Sequence, residues 1–151
     1  MICSVITKNI NGQKKVFVPD DNFEKELMAL GIDTEKPPLV NDTVIISETI
    51  PIKSLYLYYH AIIGTQIKDL TGIEAFTELE ELTITGQKVE KINLTKNTKI
   101  KRLDFSYNFN DIQIKLDLSQ LSSLEELICV YMSNMDTIEF PALSKLIYID
   151  I

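Results

Sequence analysis

The residue types that most often carry chemistry are sparse in this chain of 151 residues, and they stand apart from one another. Two cysteines, Cys3 and Cys129, are separated by most of the sequence, and no Cys-x-x-Cys pair occurs. The single histidine, His60, has no ligand-type neighbour in its local segment YYHAIIGTQ. A zinc site needs several soft or imidazole ligands at close spacing, so neither zinc nor a disulfide framework is expected. Cys129 reads as a small core residue, Cys3 as a thiol of an exposed terminus, and His60 as part of a solvated loop. Carboxylates are plentiful, but Glu78, Glu80, Glu81, Glu125 and Glu126 recur at matching places along the chain. Repetition suits a charged surface, whereas general acid–base catalysis needs one unique pair in a cleft. Asp20 and Asp21 lack the spacing of a calcium loop, and helix capping accounts for one of them. The Asn-x-Thr triplets at Asn41 and Asn93 are glycosylation acceptors only in a secretory host. With five glycines in all, the chain contains no phosphate-binding loop and no nucleophile elbow. No catalytic, cofactor-binding or metal-binding residues are therefore assigned, and the chain is not expected to be an enzyme.

Charge narrows the partners. Asp and Glu number 22 against 15 Lys and Arg, a formal net charge of −7. Binding to a phosphate backbone requires cations in excess, so nucleic acid is excluded as an expected partner. No apolar run approaches the roughly 20 residues that span a bilayer, so membrane insertion is not expected. The first residues, with Cys3 and Ser4 interrupting a short apolar patch before Lys8, do not read as a signal peptide. If Met1 is the true start, a cytoplasmic protein is expected; a trimmed signal would place it outside the cell.

The elements that position these residues repeat. An apolar residue, another three on and a third two beyond recur at Ile52/Leu55/Leu57, Leu79/Leu82/Ile84, Ile100/Leu103/Phe105, Leu124/Leu127/Cys129 and Leu143/Leu146/Tyr148. The starts are separated by 27, 21, 24 and 19 residues, the length of a short leucine-rich repeat. Each copy has the two-residue period of a strand buried on one face. Further apolar groups follow about ten residues on: Val89, Ile92 and Leu94; Ile112, Ile114, Leu116 and Leu118; Met135, Ile138 and Phe140. These return the chain along the other side as extended pieces and turns, with residues 69–76 (DLTGIEAF) the best candidate for a single helical turn. One such unit cannot bury enough apolar surface to offset the entropy of ordering its backbone, so it exists only in a stack. The expected fold is an α/β solenoid, mostly β: a short right-handed superhelix with a parallel sheet on its concave face and a helical N-terminal cap.

The cap is read from residues 1–51. Asp21 followed by Glu24 has the pattern of a capping box, and Phe23, Leu27 and Leu30 line one face of a helix over about 22–30 that Gly31 ends. Pro37 and Pro38 break the chain, and Val44 to Ile46 starts the sheet or lies beside it. Residues 52–151 supply about five repeats in one domain.

Residues 17–151 resemble the bacterial leucine-rich-repeat proteins of the internalin-like, surface-associated kind. The resemblance rests on FVPDDNFEKELMALGID (17–33), similar to that family's helical cap, and on IKDLTGIEAFTELEEL (67–82), similar to its cap-to-repeat junction. It rests also on KINLTKNTKIKRLDFSYN (91–108), similar to one full repeat with its asparagine at Asn108. Gly86 and Tyr131 depart from the pattern where an asparagine-containing turn belongs, and the repeat lengths are irregular. The resemblance implies a protein-binding role, often at a bacterial surface.

In that architecture the residues between the buried strand positions face outward. They are Ser54, Tyr56 and Tyr58; Glu81, Thr83 and Thr85; Arg102, Asp104 and Ser106; Glu126, Ile128 and Val130; and Lys145, Ile147 and Ile149. Tyrosines suit a contact surface, and the four β-branched residues Ile128, Val130, Ile147 and Ile149 read as an apolar interface patch. Because the fifth strand ends the sequence, its open edge is expected to meet a second copy or a partner. The function expected is protein–protein recognition through the concave face and the C-terminal repeats. The alternative is a small acidic cytoplasmic immunity protein that neutralises a bacterial toxin.

Overall fold

The computed structural model describes residues 12–33, 35, 40–47, 51–59, 66–140, 142, 145 and 148–150. Alternating burial draws the strands. In β3 (Ser54–Tyr58) the sequence SLYLY turns Leu55 and Leu57 inward and leaves the residues between them outside. The same alternation makes β4 (Glu81–Thr85), β5 (Arg102–Asp104) and β7 (Glu126–Ile128), which join β9 (Tyr148–Asp150) in one five-stranded sheet of order β3-β4-β5-β7-β9. All neighbours are parallel, with Leu55, Leu82, Leu103 and Leu127 in one register line. Between successive strands the chain crosses to the other side. There β6 (Phe109–Asp117) and β8 (Ser133–Glu139) pair in parallel, with register shifts near Ile114. Ahead of them an isolated parallel bridge links Asp69 and Lys91. A single 3-10 turn, Ile73–Ala75, falls inside the segment expected to hold a helical turn. The product is a mostly-β solenoid with parallel sheets and little helix. One apolar cluster runs through it, from Leu55 and Leu57 to Leu127 and Cys129.

Buried amides finish the turns. Asn108 Nδ2 donates to the carbonyls of Ile84, Phe105 and Ser106 at 2.8, 2.9 and 3.1 Å. On the back, Asn97 Nδ2 donates to Ile73 O at 2.9 Å and Phe76 O at 3.0 Å, stitching one repeat to the one before it. One repeat earlier than Asn108 the role passes to Gln87, whose Nε2 donates to Leu57 O at 3.5 Å while its Oε1 accepts from Ile67 N at 2.8 Å. Carbonyls that no strand reaches are thereby satisfied inside the core.

The N-terminal segment differs from expectation in three details. The helix, α1, is Asp21–Ala29, and its N-cap is Asp20 instead of Asp21. Asp20 Oδ1 accepts from Asn22 N and Phe23 N, while Oδ2 accepts from Lys68 N at 2.8 Å and Asp69 N at 2.9 Å. Glu24 does not reach back to the cap. It is buried, and its carboxylate accepts from the backbone of Asn41 and Asp42 at 3.1–3.2 Å. Lastly, Val44 and Ile46 belong to β2 (Thr43–Ser47), which pairs antiparallel with the unexpected β1 (Gln13–Phe17) in a separate two-stranded sheet. Phe23 and Leu27 of α1, with Val16, Val18, Val44 and Ile46, join the same core cluster as the repeats.

The fifth repeat is the main correction. Leu143/Leu146/Tyr148 was expected to continue the inward pattern, but Tyr148 pairs with Glu126 and Ile149 pairs with Leu127. Tyr148 is 50% exposed. The strand has slipped by three residues, which lengthens the Leu127-to-Ile149 step to 22, beside 21 from Leu82 to Leu103 and 24 from Leu103 to Leu127. The expected 19-residue spacing was the shortest of the four, and the observed 22 falls between the 21 and 24 of the preceding steps. Leu143, Leu146 and Ile147 lie outside the described residues.

Candidate functional site

The outward positions of the five-stranded sheet form two full rows. One runs Ser54, Glu81, Arg102, Glu126, Tyr148; the other runs Tyr56, Thr83, Asp104, Ile128, Asp150. A third starts Tyr58, Thr85 and continues to Ser106 and Val130, where Val130 N donates to Ser106 Oγ at 3.2 Å. Tyr56, Tyr58, Glu81, Arg102, Asp104 and Glu126 therefore share one face, as the alternation predicts. Thr83 and Ser106 do too, but they are only 4% and 2% exposed. Both are short side chains: Thr83, on the inner strand β4, stands in register between the longer Tyr56 and Asp104, and Ser106 lies in the turn after β5. Ile128 and Val130 are half-buried instead of forming an open apolar patch. Ile149 pairs in register with Leu127, and the exposed Tyr148 and Asp150 take the register positions of Glu126 and Ile128. Lys145 is exposed but precedes the strand.

Aromatic groups dominate this face. Tyr56 and Tyr58 stack with ring centroids 6.2 Å apart, and the Tyr56 hydroxyl donates to Glu81 Oε2 at 2.5 Å. At the C-terminal end of the strands the parallel hydrogen bonding continues one position further. Tyr59 N donates to Thr85 O, Gly86 N to Ser106 O and Tyr107 N to Val130 O. Tyr59, Gly86, Tyr107 and Tyr131 thus form a column along the sheet's edge. Three of its members, Gly86, Tyr107 and Tyr131, have φ of 71°, 56° and 53°. Glycine adopts that backbone freely, whereas a tyrosine does so at a cost of about 1 kcal/mol. A side chain at Gly86 would also place its Cβ 2.6 Å from Tyr59 Cβ. Tyr107 and Tyr131 stack at 5.0 Å, and Tyr131 is 69% exposed. All six tyrosines of the chain stand on this sheet or its edge, and all six are exposed. The column escaped the sequence reading, although Tyr–Asn in FSYN and the Tyr131 departure marked the turn positions.

Electrostatics divide the surface. Beside the face, Glu80 lies between Lys53 (2.7 Å) and Lys101 (2.5 Å), and hydrogen bonds first from Lys101 and then from Lys53 hold its carboxyl down to about 2. Other recurrent carboxylates meet lysines of the neighbouring repeat: Glu78 with Lys99, Glu90 with Lys68, Asp69 with Lys91 and Glu139 with Lys115. Among the described residues the one cation on the face itself is Arg102, whose Nε meets Glu126 at 2.9 Å. Burial, then the charge of Asp104, pushes the Cys129 thiol up to about 12, which removes its thiolate at neutral pH. A groove between β2 and the first back turn is lined by Lys14, Ile46, Ile52, Phe76 and Glu78 among others. Its charged groups are one lysine and a glutamate that Lys99 already engages.

These features define a repeat solenoid whose long sheet presents aromatic and acidic groups to solvent. The backbone is similar to that of the functional domain of InlJ from Listeria monocytogenes, a domain described as including a cysteine ladder. The TM-score is 0.61 and the identity 23%, with 96% of this chain covered. This chain spans 29% of the length of that one. The likeness supports an internalin-like repeat fold. No protein-family model and no curated protein matches the sequence.

Proposed function

We propose that the chain is a non-catalytic protein-recognition module that engages its partner through the outward, concave face of the five-stranded sheet. On this reading residues 52–151 act as about five leucine-rich repeats, and residues 1–51, with α1 and β1–β2, cover one end of the stack. The observation that carries the proposal is the placement of all six tyrosines, exposed, on that sheet and its edge. Tyrosine offers large, rigid contact area with a polar tip and is enriched where protein interfaces concentrate their energy. The internalin-like fold supports the same reading.

The test compares faces. Tyr56→Ala with Tyr58→Ala removes a stacked pair from the sheet, and Lys115→Ala changes the back sheet. Against a partner isolated on the immobilised parent chain, the tyrosine pair should weaken binding by at least about tenfold, and Lys115→Ala by less than about twofold. Equal binding by the tyrosine variant, or loss confined to the back variant, contradicts the proposal.

A further inference from the structure

We infer that the segment this face receives is basic: an arginine- or lysine-bearing stretch of a partner protein, whose cations seat against the tyrosine column and the carboxylates in front of it. The inference rests on the recognition reading above and adds the chemistry of the occupant.

Charge complementarity is the first ground. Away from the face, carboxylates meet lysines of adjacent repeats, as at Glu78–Lys99, Glu80–Lys53, Glu90–Lys68 and Glu139–Lys115. At the outward positions among the described residues, Glu81, Asp104, Glu126 and Asp150 face one cation, Arg102, which Glu126 already engages. No lysine occupies an outward position there. The stack pairs those acids with lysines and leaves acids in excess over cations on this face. Their field is felt by their neighbours: the charge of Asp150, foremost, raises the Tyr148 phenol, with Glu126 contributing.

The second ground is the edge column. Tyr107 and Tyr131 hold left-handed backbone that Gly86 adopts without strain in the preceding repeat, so the fold does not require tyrosine there. Their rings stack on each other and remain open to solvent, three residues past Asp104 and Ile128, where β5 and β7 end. Electron-rich ring faces beside uncompensated carboxylates attract a guanidinium more than any neutral or acidic group.

The probe is a short fluorescein-labelled arginine–glycine–serine peptide, compared with its glutamate–glycine–serine counterpart by anisotropy against the full chain. At about 50 mM NaCl the arginine peptide should bind at least about tenfold more tightly, and the advantage should shrink at about 300 mM. Tyr107→Ala with Tyr131→Gly should weaken it about three- to tenfold, with the fold checked by circular dichroism. Asp104→Asn with Asp150→Asn should weaken it and flatten its salt dependence. Glu78→Gln with Glu139→Gln removes the same net charge off the face and should leave it within about twofold. Equal binding of the two peptides, or equal loss in the on-face and off-face charge variants, overturns the inference. If the arginine peptide shows no preference while partner capture still depends on Tyr56 and Tyr58, the basic occupant alone is refuted. If capture is independent of those tyrosines as well, the recognition face falls with it.

Discussion

Tyr131 shows how a residue can be costly to the fold and still belong in it. Its φ of 53° disfavours any side chain with a Cβ, while stacking on Tyr107 returns a similar amount. Replacing it by glycine relieves about 1 kcal/mol of strain and forfeits about 0.5–1.5 kcal/mol of ring contact. Tyr131→Gly is therefore expected to melt within a few degrees of the parent while losing binding area. Scanning calorimetry checks the first part, and a large drop in Tm would show that the ring supports the core. Gly86 is the converse: alanine there combines φ 71° with a Cβ 2.6 Å from Tyr59 Cβ. A loss of about 1–3 kcal/mol in urea unfolding is expected. Asn108, buried and donating to three carbonyls, should cost about 2–4 kcal/mol as alanine by the same measurement. Little of this was legible in the sequence. Asn108 announced itself through FSYN, but Gln87 and Asn97 do asparagine-turn work that only their hydrogen bonds reveal. Thr83 and Ser106 read as outward and are, yet their burial depends on the height of their neighbours, which pattern does not encode.

Elements were read more reliably where period and length agreed. Leu55, Leu82, Leu103 and Leu127 repeat at two-residue alternation within strands, and the sheet follows them in register. The fifth strand joined the sheet as expected, but three residues later than Leu143/Leu146/Tyr148 placed it, because those residues satisfied the local pattern out of register. β1 was missed because QKKVF carries little apolar signal of its own; its partner β2 and the core behind Val16 make it a strand. Between elements, Asp20 joins the start of α1 to the first back turn through four backbone donors. Asp20→Ala should cost about 2–3 kcal/mol and speed amide exchange at Lys68 and Asp69. The charge columns between repeats predict a pH response. Glu80 falls from its ordinary 4.5 to about 2 in the folded chain. A depressed carboxyl stabilises the fold fully above about 4.5, and that contribution disappears as pH falls toward 2. Stability measured across that window should fall less steeply in Glu80→Gln than in the parent.

For the whole molecule, the stack settles where function can reside. The interior is filled by leucine, isoleucine and phenylalanine, and the back carries paired charges. Among the described residues the outward sheet and its edge gather the six tyrosines, with four acids facing one cation. Hydroxyl-radical footprinting with mass spectrometry, on the free chain and on the chain bound to its partner, tests that division most directly. Tyr56, Tyr58, Tyr107, Tyr131 and Tyr148 are expected to react readily when free and to become protected on binding, while the exposed back-sheet side chains Lys115 and Glu139 do not change. Protection confined to the back sheet, with the tyrosines as reactive bound as free, would contradict it.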